Sequence, residues 1–185
     1  MSVDAQYLNY IVQGVIKIKK VAVLIENFFD EKELIYPYYR LKEAGYEVHL
    51  VGSEKDKAYT SKSGFTEKST HSSKEVNAKD YDAVVIPGGY SPDHMRRNKD
   101  TLNFVREMDK LGKPIAAICH GPWMMASCCN LKGKKLTGFF SIKDDIVNAG
   151  AEYIDAEVVV DGNLITSRNP NDLPAFLKAI IEKIG

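Results

Sequence analysis

The stretch PIAAICHGPWMM, Pro114 to Met125, sets a thiol beside an imidazole: Cys119 and His120 follow an apolar run and precede Gly121 and Pro122. A thiolate is the form of sulfur that attacks carbonyl carbon. A small residue after the nucleophile permits a sharp strand-to-helix turn that throws the preceding side chain out over the sheet edge. The helix N-terminus beneath the sulfur and a nearby imidazolium both stabilise negative charge. These residues therefore predict a nucleophilic Cys119, ionised near neutrality and open to small electrophiles, with His120 as base or imidazolium partner. Two plainer readings stand beside this one: a strand-end cysteine is often a small buried hydrophobe, and His120 alone reads equally as a helix cap. Cys128 and Cys129 fall at the far end of the same helix, where the dipole disfavours thiolate, and read as packing residues.

The elements that must hold this pair follow from the periodicity. A short β-branched strand over Val21 to Ile25 leads into a helix from Glu31 to Ala44, with Leu34, Ile35, Tyr38 and Leu41 on one face and Gly45 as its stop. YEVHLV restarts an extended run. Residues 52–79, rich in Lys, Ser and Thr, read as a long surface excursion in which only GFTEKST suggests a marginal strand. YDAVVIPGG is the next buried strand, a helix spans Lys99 to Leu111, and PIAAIC is another buried strand before a helix over His120 to Cys129. GKKLTGF reads as a short strand. Ser141 heads a capping-box-like S-x-x-D before IKDDIVNAG. Asp161-Gly162 marks a hairpin between β-branched runs, and a closing helix carries Leu173, Phe176, Leu177, Ile180 and Ile184 inward. Short apolar strands alternating with helices predict an α/β fold: a flavodoxin-like, doubly wound, mostly parallel sheet sandwiched by helices, with one late β-hairpin. Ligands in such sheets sit beyond the carboxyl ends of the strands, where Glu26, Asn27, Gly88, Gly89, Cys119 and His120 gather. Residues 1–19 read as an N-terminal extension with a short amphipathic helix at 4–13, and residues 20–185 as one domain.

Twenty-five Lys and Arg balance twenty-five Asp and Glu, so no global field draws the chain to nucleic acid or an anionic membrane, and small neutral or mixed substrates are expected. Three cysteines, two of them adjacent, suit neither a disulfide framework nor a spaced zinc site. A cytoplasmic location, no signal peptide, no membrane span and no metal or organic cofactor are the corresponding expectations.

The string AICHGPWMMASCCNLKGKKLTGFFSIKDDIVNAGAEYIDAEVVVDGNLITSRNPNDL resembles the PfpI family of intracellular cysteine proteases and amidases, and the similarity extends through ELIYPYYRLKEAGYEVHLV and YDAVVIPGGYSPDHMRRN. The wider superfamily includes class I glutamine amidotransferase domains, glutathione-independent glyoxalases, protein deglycases and redox-responsive chaperones. The resemblance implies Cys119 as nucleophile and His120 as its partner. It implies that Glu33 is a carboxyl that hydrogen-bonds the sulfur, which requires a proton and hence a raised pKa. The N–H groups of Gly89 and His120 would form the oxyanion hole, with Gly88 in the pocket. Asp93 takes the place of an acid supplied by a neighbouring subunit to orient the histidine, which makes a homodimer or homohexamer the expected assembly. Asp30 stands where the family usually has glutamate and also reads as a helix cap. Arg168 is expected near the pocket, as a structural residue or a holder of a substrate carboxylate. Trp123 reads as a packing or interface residue, and His94, beside Asp93, competes with His120 as base.

Three functions are carried forward. The first is a peptidase or amidase working through an acyl-enzyme. The alternative is a glyoxalase or deglycase acting on methylglyoxal and its adducts, and the third is a non-catalytic redox-responsive stress protein or chaperone. A glutamine amidotransferase triad needs a later histidine, and His49, His71, His94 and His120 include none after the elbow.

Overall fold

The computed structural model describes residues 18–185; the helix expected at 4–13 lies outside the described residues. The strands are β1 (Lys20–Leu24), β2 (Glu47–Gly52), β3 (Ala58–Thr60), β4 (Thr66–Lys68), β5 (His71–Ser72), β6 (Ala83–Ile86), β7 (Ile115–Ile118), β8 (Lys135–Leu136), β9 (Glu152–Tyr153), β10 (Val158–Asp161) and β11 (Leu164–Ser167). The helices are α1 (Glu31–Glu43), α2 (Ser91–Met95), α3 (Lys99–Lys110), α4 (Pro122–Cys128), α5 (Lys143–Asn148) and α6 (Leu173–Ile184).

Seven strands form one sheet in the order β10-β11-β7-β6-β1-β2-β5. All neighbours are parallel except the β10–β11 hairpin, so the sheet is the mostly parallel, doubly wound one expected. Alternation along β1 builds the two faces: Ala22 and Leu24 enter one core with residues of α3, α4 and α5, while Val21, Val23 and Ile25 enter the other with residues of α1 and α6. Both cores are apolar, aliphatic and aromatic together, and each large side chain contributes roughly 1.5–3 kcal/mol on burial. The chain winds from β1 outward to β2 and β5, then returns past β1 to β6 and β7. The winding direction reverses between β1 and β6, which places a crevice at their carboxyl ends.

Four local expectations are revised. Residues 52–79 hold more structure than the one marginal strand expected in GFTEKST: that strand is β4, it pairs with β3 as an antiparallel hairpin, and β5 joins the main sheet beside β2. Residues Ser91–Met95 form a short helix that the pattern did not indicate. The strand in GKKLTGF is β8, which pairs with β9 outside the main sheet. Ser141 lies in a 3₁₀ turn, Phe140–Ile142, and makes no cap; Ile142 occupies the N-cap of α5 without a side-chain bond. The late hairpin turns through Gly162 and Asn163, with Gly162 at φ +62°.

Candidate active site

Cys119 sits immediately after β7 with φ +60°. A side chain in the left-handed region costs roughly 1–3 kcal/mol and persists only where the surroundings over-determine it. Here the Cys119 N–H donates to Ser167 O at 3.0 Å, the Gly121 N–H to Ile118 O at 2.7 Å, and the Phe139 N–H to Cys119 O at 2.8 Å. The glycines around it are steric requirements. A Cβ on Gly121 would lie 2.6 Å from Ile86 O, and one on Gly88 would lie 2.6 Å from Glu33 Oε2, 2.8 Å from Cys119 Cβ and 2.9 Å from His120 N. Gly89, at φ +70°, presses its Cα face against Phe28 O.

Four groups converge on the sulfur. The N–H groups of His120 and Gly89 point at it, the Glu33 carboxyl lies against it, and His120 Nδ1 is 3.4 Å away. Glu33 is fully buried on the core side of α1. Its Oε2 accepts the Gly88 N–H at 2.8 Å, while Oε1 is buried without a hydrogen-bond partner. Burial and the neighbouring Asp30 charge push the Glu33 carboxyl up to about 7. Burial, and then the Glu33 charge, push the Cys119 thiol up to about 12 against the pull of the His120 and Gly89 N–H groups. The expectation of a thiolate standing free near neutrality is therefore corrected. Cys119 is only 9% exposed, and two anions cannot share so small a dry space, so the pair retains a proton. Burial, and then the charge of Lys62, hold the His120 imidazolium form down, with Asp145 opposing. The resting constellation is a thiol, a neutral imidazole and a carboxyl poised near neutrality.

Lys62 is the site residue that sequence reasoning missed. It lies in the β3–β4 turn, donates to Asp30, and its charge reaches Cys119, Glu33 and His120. The turn is tied to α1 through Ser61 and Ser63, both of which donate to Glu31 Oε1. Nothing in TSKSG distinguishes that lysine from a solvated one; the signal lies in contacts across some thirty residues. Asp30 caps α1, accepting from the Lys32 N–H at 3.0 Å and the Glu33 N–H at 3.4 Å, and also balances Lys62.

The remaining candidates lie outside this cluster in the protomer. Asp93, in α2, pairs with Arg97. His94 packs its ring against Phe28 and Tyr90, with centroids 5.3 and 5.7 Å away. Arg168 is engaged by Asp172 at 2.9 Å and Asp155 at 2.8 Å, on the wall of a cleft of about 300 Å³ that also includes Phe139, Phe140 and Tyr153. Its charge is spent within the fold, which favours the structural reading. Trp123 packs between Tyr90 and His120.

Among the described residues no group of His, Cys, Asp or Glu gathers as metal ligands, and no helix is long and apolar enough to cross a membrane. The cluster suits nucleophilic addition to a small carbonyl compound, with two proton carriers flanking one sulfur.

Known proteins share this architecture. The chain is 45% identical over 163 residues to Deglycase PfpI of Pyrococcus furiosus, covering 88% of this chain and 98% of that one. It is 40% identical over 169 residues to Protein/nucleic acid deglycase 2 of Escherichia coli, covering 90% and 98%. The crystal structure of Drosophila melanogaster DJ-1beta superposes with a TM-score of 0.84 at 32% identity, covering 90% of each chain. With residues 19–183 matching the family's own sequence pattern from end to end of the described fold, the chain belongs to the DJ-1/PfpI family.

Proposed function

We propose that the protein is a cysteine-dependent glyoxalase and deglycase that acts on 2-oxoaldehydes such as methylglyoxal and on their early adducts with amines. The observation that carries this is the fully buried Glu33 carboxyl beside Cys119, pushed up to about 7. Such a group gives and takes protons at neutral pH, as movement of a proton between adjacent carbons requires. The word deglycase in the names of the Pyrococcus and Escherichia relatives supports the adduct half of this reading.

His120 takes the thiol proton as sulfur adds to the aldehyde carbon and returns it to the new hydroxyl, giving a hemithioacetal; from a hemiaminal adduct, sulfur displaces the amine at that carbon, the C–N bond breaks, and the thiol proton leaves on the amine by way of His120. Glu33 and His120 then carry the C1 proton to C2, so that C1 is oxidised and C2 reduced within one molecule and a lactoyl thioester results. Water hydrolyses the thioester to lactate and restores the thiol. The N–H groups of Gly89 and His120, which point at the sulfur, receive the oxyanion at each addition in this reading.

Peptide hydrolysis, the first of the three expectations, calls for an imidazolium that protonates a departing amine. That route moves no proton between adjacent carbons and leaves the Glu33 carboxyl, pushed up to about 7, without a task, so the adduct chemistry is preferred. Methylglyoxal, a methylglyoxal-treated amine and fluorogenic peptide amides are to be compared on wild type and Cys119→Ala. Lactate and free amine without peptide cleavage are expected from wild type alone, and peptide cleavage without lactate would overturn the proposal. No turnover, with peroxide oxidising Cys119 selectively, would transfer support to the redox-responsive protein. Self-association, implied by the family resemblance, is proposed as well; light scattering that returns a fully active monomer would remove it.

A further inference from the structure

The S-x-x-D pattern at Ser141 predicts a helix cap, yet the hydroxyl caps nothing. Ser141 Oγ lies 3.3 Å from His120 Nε2, on the side of the ring opposite the Nδ1 that faces Cys119 Sγ at 3.4 Å. The ring plane is fixed independently. Phe139 stacks on it with centroids 5.0 Å apart and planes at 27°, while Trp123 meets it edge-on at 5.1 Å and 65°. The backbone that presents Ser141 is anchored to the nucleophile itself, since the Phe139 N–H donates to Cys119 O. We propose that Ser141 is the positioning residue of this site: its hydroxyl accepts the His120 Nε2–H and so keeps the Nδ1 lone pair directed at the Cys119 sulfur.

An imidazole presents one N–H and one lone pair, and the partner of one nitrogen decides the role of the other. A protonated thiol needs an acceptor at Nδ1, which requires the hydrogen on Nε2, and Ser141 is the acceptor there. A hydroxyl orients the ring without the full charge of a carboxylate, so the imidazole stays neutral between the opposed charges of Lys62, from the β3–β4 turn, and Asp145, from α5. The contact lies within one chain, whereas Asp93 is held by Arg97 in the protomer.

The proposal rests on Cys119 acting as the nucleophile under the proposed function, and its test is chosen to be separable from turnover. Nitrogen-15 spectra of the His120 ring and the pH dependence of Cys119 alkylation by iodoacetamide are to be measured in wild type, Ser141→Ala, Ser141→Thr and Asp93→Asn. Wild type and Ser141→Thr are expected to hold the Nε2–H tautomer, and Ser141→Ala to lose that bias with a displaced alkylation profile. Where substrate turns over, Ser141→Ala is expected to lower kcat by about tenfold, the worth of one hydrogen bond, at unchanged KM. A Ser141→Ala spectrum and alkylation profile matching wild type would overturn the proposal, as would a tautomer that responds to Asp93→Asn and not to Ser141→Ala. If no substrate turns over, the spectra and alkylation still decide.

Discussion

The Glu33 carboxyl raises the thiol beside it and is also the proposed proton carrier, and Glu33→Gln separates those effects. Glutamine can still accept the Gly88 N–H that Glu33 Oε2 receives at 2.8 Å, but it brings no charge to the sulfur. Burial would continue to hold the Cys119 thiol up, while the second-ranked cause, the Glu33 charge, disappears. The midpoint of Cys119 alkylation against pH is therefore expected to fall in Glu33→Gln, giving a thiol that reacts faster with iodoacetamide at neutral pH. Turnover of methylglyoxal is expected to fall by about a hundredfold or more, the usual worth of a positioned acid–base group. A variant that loses turnover with an unmoved alkylation midpoint would show that Glu33 does not govern the sulfur.

At the scale of elements, the β3–β4 hairpin delivers one charge to a site otherwise built from β1, β6, β7 and α1. Lys62 disfavours the His120 imidazolium, so Lys62→Ala is expected to move the acid limb of kcat/KM to higher pH; a limb that stays in place would confine Lys62 to bridging Asp30. The strand β4 was legible in GFTEKST, but its pairing with β3 and the place of Lys62 were not, because the polar residues of the hairpin are solved by partners far away: Ser61 and Ser63 by Glu31, and the Thr60 N–H by Asn27 Oδ1. The elbow was legible because its rules are local, a β-branched or apolar strand, a small residue after the thiol and Pro122 at the helix start. Glu33 is intermediate. Its place came through family resemblance, since a glutamate in the first turn of a helix looks solvent-facing until the orientation of α1 is known. Ser141 misled for a related reason, because a serine three residues before an acid serves capping only when the turn that carries it aims the hydroxyl at the helix.

Across the whole molecule, a buried carboxyl and a half-buried histidine pair make stability respond to pH in opposite directions. Glu33 has a folded pKa raised from about 4.5 to about 7. The unfolded chain gives up that proton first, so the stability associated with a neutral Glu33 is complete below about pH 4.5 and lost as pH rises through about 7, a change of about 3 kcal/mol. Toward one edge of the sheet, His49 of β2 stacks on His71 of β5 with centroids 3.8 Å apart. Both are held low, His49 by burial and then the His71 charge, His71 by burial and then Lys55, with Lys20 adding to each and Glu47 opposing. The folded state here prefers neutral imidazoles, so stability is lost as pH falls below their ordinary value of about 6.5. Below about pH 6.5 the stacked pair opposes the carboxyl, so the wild-type urea midpoint is expected to change less than Glu33 alone would make it. Glu33→Gln removes one side only, so its midpoint is expected to climb through that range. The variant's stability relative to wild type should rise by about 3 kcal/mol between about pH 4.5 and pH 7. A stability difference that stays constant over the same interval would mean that Glu33 titrates in the fold as it does in the unfolded chain, and the buried proton that the proposed chemistry uses would be missing.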